Sequence, residues 1–481
     1  MMLRRCRRPT IAVAAALCIG ILVILALAIG SGWRLTLLEG APAIDTPTTT
    51  TMRIYSEQGV APFQCTPLSA SAPRSLRIFV YPLPAEFNTR VIEHNLAHPP
   101  DMRDPVCTTS FYSSEWAFHQ LLLDSPLRTL NPRDADYYYV PVYGTCHGFN
   151  RMAVQPNASA ELFSAALDWI TSHGSIPRDT LPWRYDPYSP DWNSLGTIEQ
   201  VATRGEYPPF PAFAQDHLWL FSQGHGAKLF GDYSRIKNAV FLTANGQLSA
   251  AEFTLAKDVT IPPRLTHYVP TPIYANKSVD ELEVILTGQR PTLACFGGTK
   301  LPCFVNDARG SCHSRGVRPY LKETFSKHPD FRILGIRSSG YEKALRSSTF
   351  CLCPEGWHAW TPRVFEAILS GCIPVLISDD LALPFESLID YDAFIVRIPP
   401  ARVAADLLST LQSISHQDVV RRRRAMAAVW GRFVWHDVSQ HGDAFCSILE
   451  QLYLKKRQAS RRWADQKDVE FRRWVEAGGS P

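Results

Sequence analysis

Arg363 and Glu366 stand three apart in FCLCPEGWHAWTPRVFEAILSGCIPVLISDDLALPF, residues 350–385. At that spacing on a helix the two side chains share one face. A guanidinium suits a diphosphate, and a carboxylate accepts hydrogen bonds from both hydroxyls of a ribose, so the pair suits a nucleotide sugar. An ordinary surface ion pair has the same spacing, so the local frame has to decide between them. Phe350 to Cys353 reads as buried strand, and Pro354, Gly356 and Pro362 interrupt regular structure around EGWHAWT. Thr361 suits an N-cap, Pro362 a first helical residue and Gly371 a left-handed terminator. That frame places a helix start at the carboxyl end of a parallel strand, where open-sheet ligands bind and where free N–H groups favour an anion.

The rest of the chain must supply elements that hold such a site. Its 481 residues, 46% of them apolar, are enough for two well-filled cores. The net charge of +4 carries no nucleic-acid footprint. Arg4, Arg5, Arg7 and Arg8 precede a run without a charged side chain up to Arg34, long enough to span a bilayer. The positive-inside rule then sets residues 1–10 in the cytosol, 11–33 as a signal anchor and everything after Trp33 in the lumen, a type II topology. The Thr-, Pro- and Ser-rich segment 34–75 reads as a stem. Ten cysteines beyond the anchor would meet an oxidising lumen, so some disulfides are expected; their connectivity is open, and a zinc site is disfavoured by the lack of paired C-x-x-C spacing. Asn157-Ala158-Ser159 and Asn276-Lys277-Ser278 are glycosylation sequons on that side.

Strands such as LRIFVYPL, DADYYYVPVY, DHLWLFSQGHG and NAVFLTA alternate with helical stretches such as SSEWAFHQLLLDSPLRTL, the pattern of a parallel, helix-covered sheet. The proline-broken run KDVTIPPRLTHYVPTPIYANKS connects a first domain (76–262) to a second (263–455), which restarts with RPTLACFGGTK; residues 456–481 form a charged tail. Asp134 and Asp136 imitate a metal-binding Asp-x-Asp but open a strand, and Asp379-Asp380 reads as a strand-end turn. The run Arg421 to Arg424 reads as a solvated helix face.

The stretch SSTFCLCPEGWHAWTPRVFEAILSGCIPVLISDDLALPFESLIDYDAFIV resembles the exostosin family of glycosyltransferases, which includes heparan sulfate polymerases and plant cell-wall transferases. The blocks FHQLLLDSPLRTLNPRDADYYYVPVYGTC, DHLWLFSQGHG, KDVTIPP, FGGTK and SRGVR follow in the family's order, over roughly Leu76 to Val396. The chain thus resembles an algal or plant-like member. The resemblance implies an α/β fold of GT-B type, two Rossmann-like domains facing a cleft, preceded here by the transmembrane anchor and stem. It implies inverting transfer from a UDP-linked sugar to a glycan or glycoprotein acceptor in the Golgi, with no cofactor or metal required. A catalytically silent scaffold that binds glycan or an active partner is the alternative reading, and homo- or hetero-oligomers are left open. Carried over onto this chain, Arg363 and Glu366 are the donor contacts, Gly356 allows close backbone approach, and Arg318 and Lys300 are further cations for the diphosphate. A general base should come from the first domain, opposite the leaving group. Asp216 is the first choice, with His217, His225 and Glu115 as other candidates. QGHG replaces the His-Asp that often follows the DHF-like strand, which bears on these acceptor-side assignments.

Overall fold

The computed structural model describes residues 76–97, 105–151, 155, 157–173, 216–265, 269, 271–298, 313–335 and 339–458. The expected anchor and stem (1–75), the end of the charged tail (459–481) and Lys300 lie outside them. Among the described residues no helix is long and apolar enough to cross a membrane.

Two parallel sheets organise the rest. The first comprises β1 (Ile78–Val80), β2 (Arg128–Thr129), β3 (Tyr137–Val140), β4 (His217–Phe221), β5 (Val240–Thr243) and β6 (Val259–Thr260), in the order β2-β1-β3-β4-β5-β6. The second comprises β7 (Thr292–Gly297), β8 (Phe331–Leu334), β9 (Ser348–Pro354), β10 (Ile373–Ile377) and β11 (Val396–Arg397), in the order β11-β10-β9-β7-β8. Among the described residues, every pairing between these strands is parallel. HLWLF and IPVLI are buried along their whole length, as strands covered on both faces must be. Counted within its own sheet, each domain winds 2-1-3-4-5, with one edge strand added to the first. That winding reverses direction between the first and third strands, and the crevice at their carboxyl ends is where ligands lodge. In the second domain the reversal falls between β7 and β9.

The helix Ser114–Leu123 buries Ala117, Phe118, Leu121 and Leu122 on the first sheet, as its spacing predicts, and leaves Trp116 half-buried beneath the Arg264 guanidinium. A helix at 444–458 buries Phe445, Ile448, Leu449 and Leu452, sets Phe445 against Phe118, and accepts a hydrogen bond from Tyr137 at Leu452 O. By its contacts the end of the chain therefore returns to the first sheet. Disulfides join Cys107 to Cys146 and Cys351 to Cys372. The arginine run departs from a solvated face: Arg421 and Arg424 pair outward with Asp418 and Glu283, whereas Arg423 is 1% exposed and donates to Gly288 O. Four consecutive residues on a helix spread over most of its circumference, so one of them had to face the core.

Candidate active site

β7 ends in Phe296 and Gly297, and two guanidinium groups meet at that phenyl ring. Arg363 Cζ lies 5.3 Å and Arg318 Cζ 5.9 Å from the ring centre. Arg363 arrives as the first residue of the helix Arg363–Leu369, and its Nε donates to Gly297 O. Arg318 comes from the helix Val317–Phe325, is 5% exposed, and donates to Pro354 O at 3.4 Å. Burial, with the Arg363 charge next in weight, pushes the Arg318 guanidinium below its ordinary range. Two cations held this close in a low-dielectric crevice raise each other's cost, and an anion placed between them relieves both.

Glu366 sits one turn along from Arg363, 5% exposed, and accepts a hydrogen bond from Tyr341 Oη. Burial pushes its carboxyl up while Arg363 draws it down. The Tyr341 ring lies directly over Gly297, where a Cβ would be 2.4 Å from Tyr341 Cδ2. A Cβ on Gly298 would be 2.3 Å from Arg363 Nη2. The two glycines of FGG are therefore what let Tyr341 and Arg363 close over the strand end. Gly356 is less constrained by the protein itself, since a Cβ there would meet Trp360 O at 3.6 Å and Arg318 Nη2 at 3.8 Å, ordinary contacts.

The helix start differs in detail from its expected form. Pro362 rather than Thr361 occupies the cap position, no side chain caps the helix, and Thr361 Oγ1 is buried without a hydrogen-bond partner. Gly371 terminates the helix at φ +67, as expected. Seven residues supply few aligned peptide dipoles, so the two guanidinium groups carry more of the positive charge than the helix does.

Beside this crevice Ser314 and Arg315 take left-handed backbone angles (φ 59 and 47), and Ser314 N donates to Gly356 O at 3.0 Å. Arg315 thereby reaches Asp379 at 2.7 Å and Glu355 at 3.4 Å, and Glu355 also accepts from Ser378. Asp380 takes hydrogen bonds from Ser249 and Gln247 of the first domain. The Asp379-Asp380 pair is thus engaged in an ion pair and in an interdomain clasp.

The carboxyl ends of both sheets face each other. Ala382 N donates to Gly246 O at 2.9 Å, the His225 and His358 rings lie 4.3 Å apart, and Trp360 stands 5.6 Å from Tyr112. Asp216 and His217 are elsewhere. Both lie at the amino end of β4, where Asp216 accepts from Lys456 Nζ at 3.0 Å. His217 is buried between Tyr81 and Tyr138, with Nε2 2.7 Å from Tyr81 Oη. The rest of β4, Leu218 to Phe221 at about 3.3 Å per residue, separates them from the cleft end. As candidate bases they are therefore displaced by His225, which leaves the carboxyl end of β4, is exposed, and has Nδ1 2.9 Å from Gln223 Oε1. Glu115 lies at the cleft end but is sealed in: it accepts from Thr145 N, Thr145 Oγ1 and Ser222 Oγ, and burial pushes its carboxyl up to about 8. It ties the carboxyl ends of β3 and β4 together. Asn157 and Asn276 are both exposed.

Phe296, Tyr341, Gly298 and His358 belong to the site without having been picked out from the sequence. FGG was visible after an apolar strand, and its glycines were the available signal.

A family model described as the Exostosin GT47 domain matches residues 72–176 and 211–414. The chain is 30% identical over 384 residues to a probable glucuronosyltransferase 47 A of Physcomitrium patens, covering 79% of this chain and 75% of that one. It is 26% identical over 426 residues to the probable beta-1,4-xylosyltransferase IRX10 of Arabidopsis thaliana (83% and 89% covered), and 28% identical over 391 residues to IRX10L (79% and 81%).

Proposed function

Because this chain belongs to the exostosin GT47 family and is a nucleotide-sugar-dependent glycosyltransferase, we propose that its donor is a UDP-sugar bound at the carboxyl end of β7. The observation that carries this reading is the convergence of two guanidinium groups, the half-buried Arg363 and the buried Arg318, on the Phe296 ring. The two guanidinium groups hold the diphosphate, with Lys300 as a third cation. Glu366, steadied by Tyr341, accepts hydrogen bonds from the ribose hydroxyls. As the glycosidic bond to the diphosphate breaks, negative charge grows on the leaving phosphate, and fixed cations stabilise it without reorganising. That arrangement supplies the charge a divalent ion would otherwise bring, so no metal is required.

The acceptor is a glycan or glycoprotein hydroxyl entering from the first-domain side. His225, its ring turned by Gln223, takes the hydroxyl proton in a single displacement that inverts the anomeric centre. Residues 11–33 anchor the enzyme in the Golgi membrane, with its catalytic part lumenal.

The test is a donor panel incubated with full-length protein, UDP-xylose and UDP-glucuronate first because of the relatives' names, with products read by mass spectrometry and NMR. One donor should be consumed, giving a β-linked product from an α-linked donor, and His225→Ala should slow turnover with UDP affinity unchanged. Retained configuration would refute the single displacement. Absence of UDP binding would refute the donor site.

A further inference from the structure

Cys295 is a buried thiol placed beside a disulfide. It lies in β7, in register with Cys351 of β9, and side chains in register on neighbouring parallel strands project to the same face. Its Sγ is 3.4 Å from Cys351 Sγ, and the sulfurs of Cys295, Cys351 and Cys372 all lie within 4.8 Å of one another. Cys351 is already bonded to Cys372, the residue after the Gly371 turn that ends the Arg363–Leu369 helix.

We propose that Cys295 exchanges with this disulfide, giving a second isomer in which Cys295 is linked to Cys351 and Cys372 is the free thiol. The Cys295 thiolate attacks Cys351 Sγ, the Cys351–Cys372 bond breaks, and the Cys372 thiolate recovers the proton that Cys295 gave up. One disulfide and one thiol are present before and after, so neither oxidant nor reductant is consumed. The other free thiol among the described residues, Cys353, points its Sγ at Cys351 O at 3.2 Å and remains a bystander.

The two isomers constrain different things. The Cys351–Cys372 link pins the end of the helix that carries Arg363 and Glu366 onto β9. The Cys295–Cys351 link joins two strands already held by their ladder, and so leaves that helix end untied. Burial pushes the Cys295 thiol up to about 11, which makes the attacking thiolate scarce at neutral pH and the exchange faster as pH rises. The consequence for catalysis rests on the donor-site reading above; the exchange itself does not.

Full-length protein held at pH 7 and at pH 9, then denatured in excess alkylating reagent and digested without reduction, reports both isomers by peptide mass. A Cys295–Cys351 peptide with alkylated Cys372 should appear and grow roughly tenfold faster per pH unit, following the thiolate fraction. Cys295→Ser should keep the Cys351–Cys372 link at both pH values, and Cys295→Ala serves if the serine variant folds poorly. A wild-type map showing only Cys351–Cys372 after prolonged incubation at pH 9 would overturn the proposal. So would alkylated Cys372 that is as abundant in both Cys295 variants as in the wild type. UDP affinity measured on the same samples is read separately, so failure of the donor site is distinguishable from failure of the exchange.

Discussion

Gly298→Ala isolates the placement of one guanidinium. The new Cβ would stand 2.3 Å from Arg363 Nη2, 3.0 Å from Cζ and 3.2 Å from Nε, so the side chain must retreat by about 1 Å to restore ordinary contact. Gly298 does not have a left-handed φ, so alanine suits its backbone. Alanine narrows the unfolded ensemble by about 0.4–1 kcal/mol, and loss of the Arg363 Nε to Gly297 O bond costs about 0.5–1.5 kcal/mol, so net stability should change little. Catalysis should not be spared, because a displacement of about 1 Å in a charge that meets the leaving group costs roughly 100-fold. Arg363→Ala, removing one preorganised donor, should cost about 2–4 kcal/mol of transition-state stabilisation. The double variant should be no slower than Arg363→Ala alone, because the alanine acts only by moving that side chain. Initial rates of UDP release, thermal midpoints and UDP affinity on the four proteins complete the cycle. Wild-type rates in Gly298→Ala, or penalties that multiply in the double variant, would refute the placement of Arg363 at the diphosphate.

Three further outcomes follow from the same geometry. Glu366→Gln should raise the donor KM with a smaller effect on kcat and an intact fold, and Tyr341→Phe should move the same parameter less, since it only steadies the carboxylate; a kcat effect without a KM effect would reassign Glu366. Turnover should survive EDTA, whereas loss restored by Mn²⁺ together with normal rates for Arg363→Ala would move the chemistry to Asp379 at the carboxyl end of β10. The Glu115 carboxyl, near 8 when folded against 4.5 when free, binds a proton in the native state that the unfolded chain has released. Stability should therefore fall as pH rises from about 4.5 to 8, by up to about 5 kcal/mol from this group, then level off. Glu115→Gln should remove that slope in denaturant unfolding at pH 5 and pH 8, and equal slopes would rule out the assignment.

Much of the architecture was legible because parallel strands buried on both faces leave unbroken apolar runs. TLACFG, STFCLCP and IPVLI are such runs, and each lies in the second sheet. The short strands β2, β6 and β11, two residues each, carry no such signal, since their burial is set by neighbours rather than by their own pattern. Arg423 shows the same limit on a helix. Four adjacent charges suggest a wet surface, but helical geometry turns one of them inward, and backbone carbonyls at Leu286 and Gly288 receive it.

The two halves of the site differed in legibility for a related reason. Arg363 and Glu366 lie on one short helix, so their relation is local and spacing alone places them together. A base on the acceptor side is defined by which end of a strand faces the other domain, and that depends on the sense of the whole sheet. Asp216 and His217 open β4 while Ser222 to His225 close it; both ends are polar, and only the parallel winding distinguishes them. Any parallel strand followed by a helix puts its ligand-facing groups at the carboxyl end. Applied to DHLWLFSQGHG, that rule selects the residues after Phe221 over those before Leu218, and so favours His225 from the strand's direction alone. Tyr341 and Phe296 needed the structure itself, because their part in the site comes from contacts across 25 residues or more of chain, to Glu366 and to Arg363.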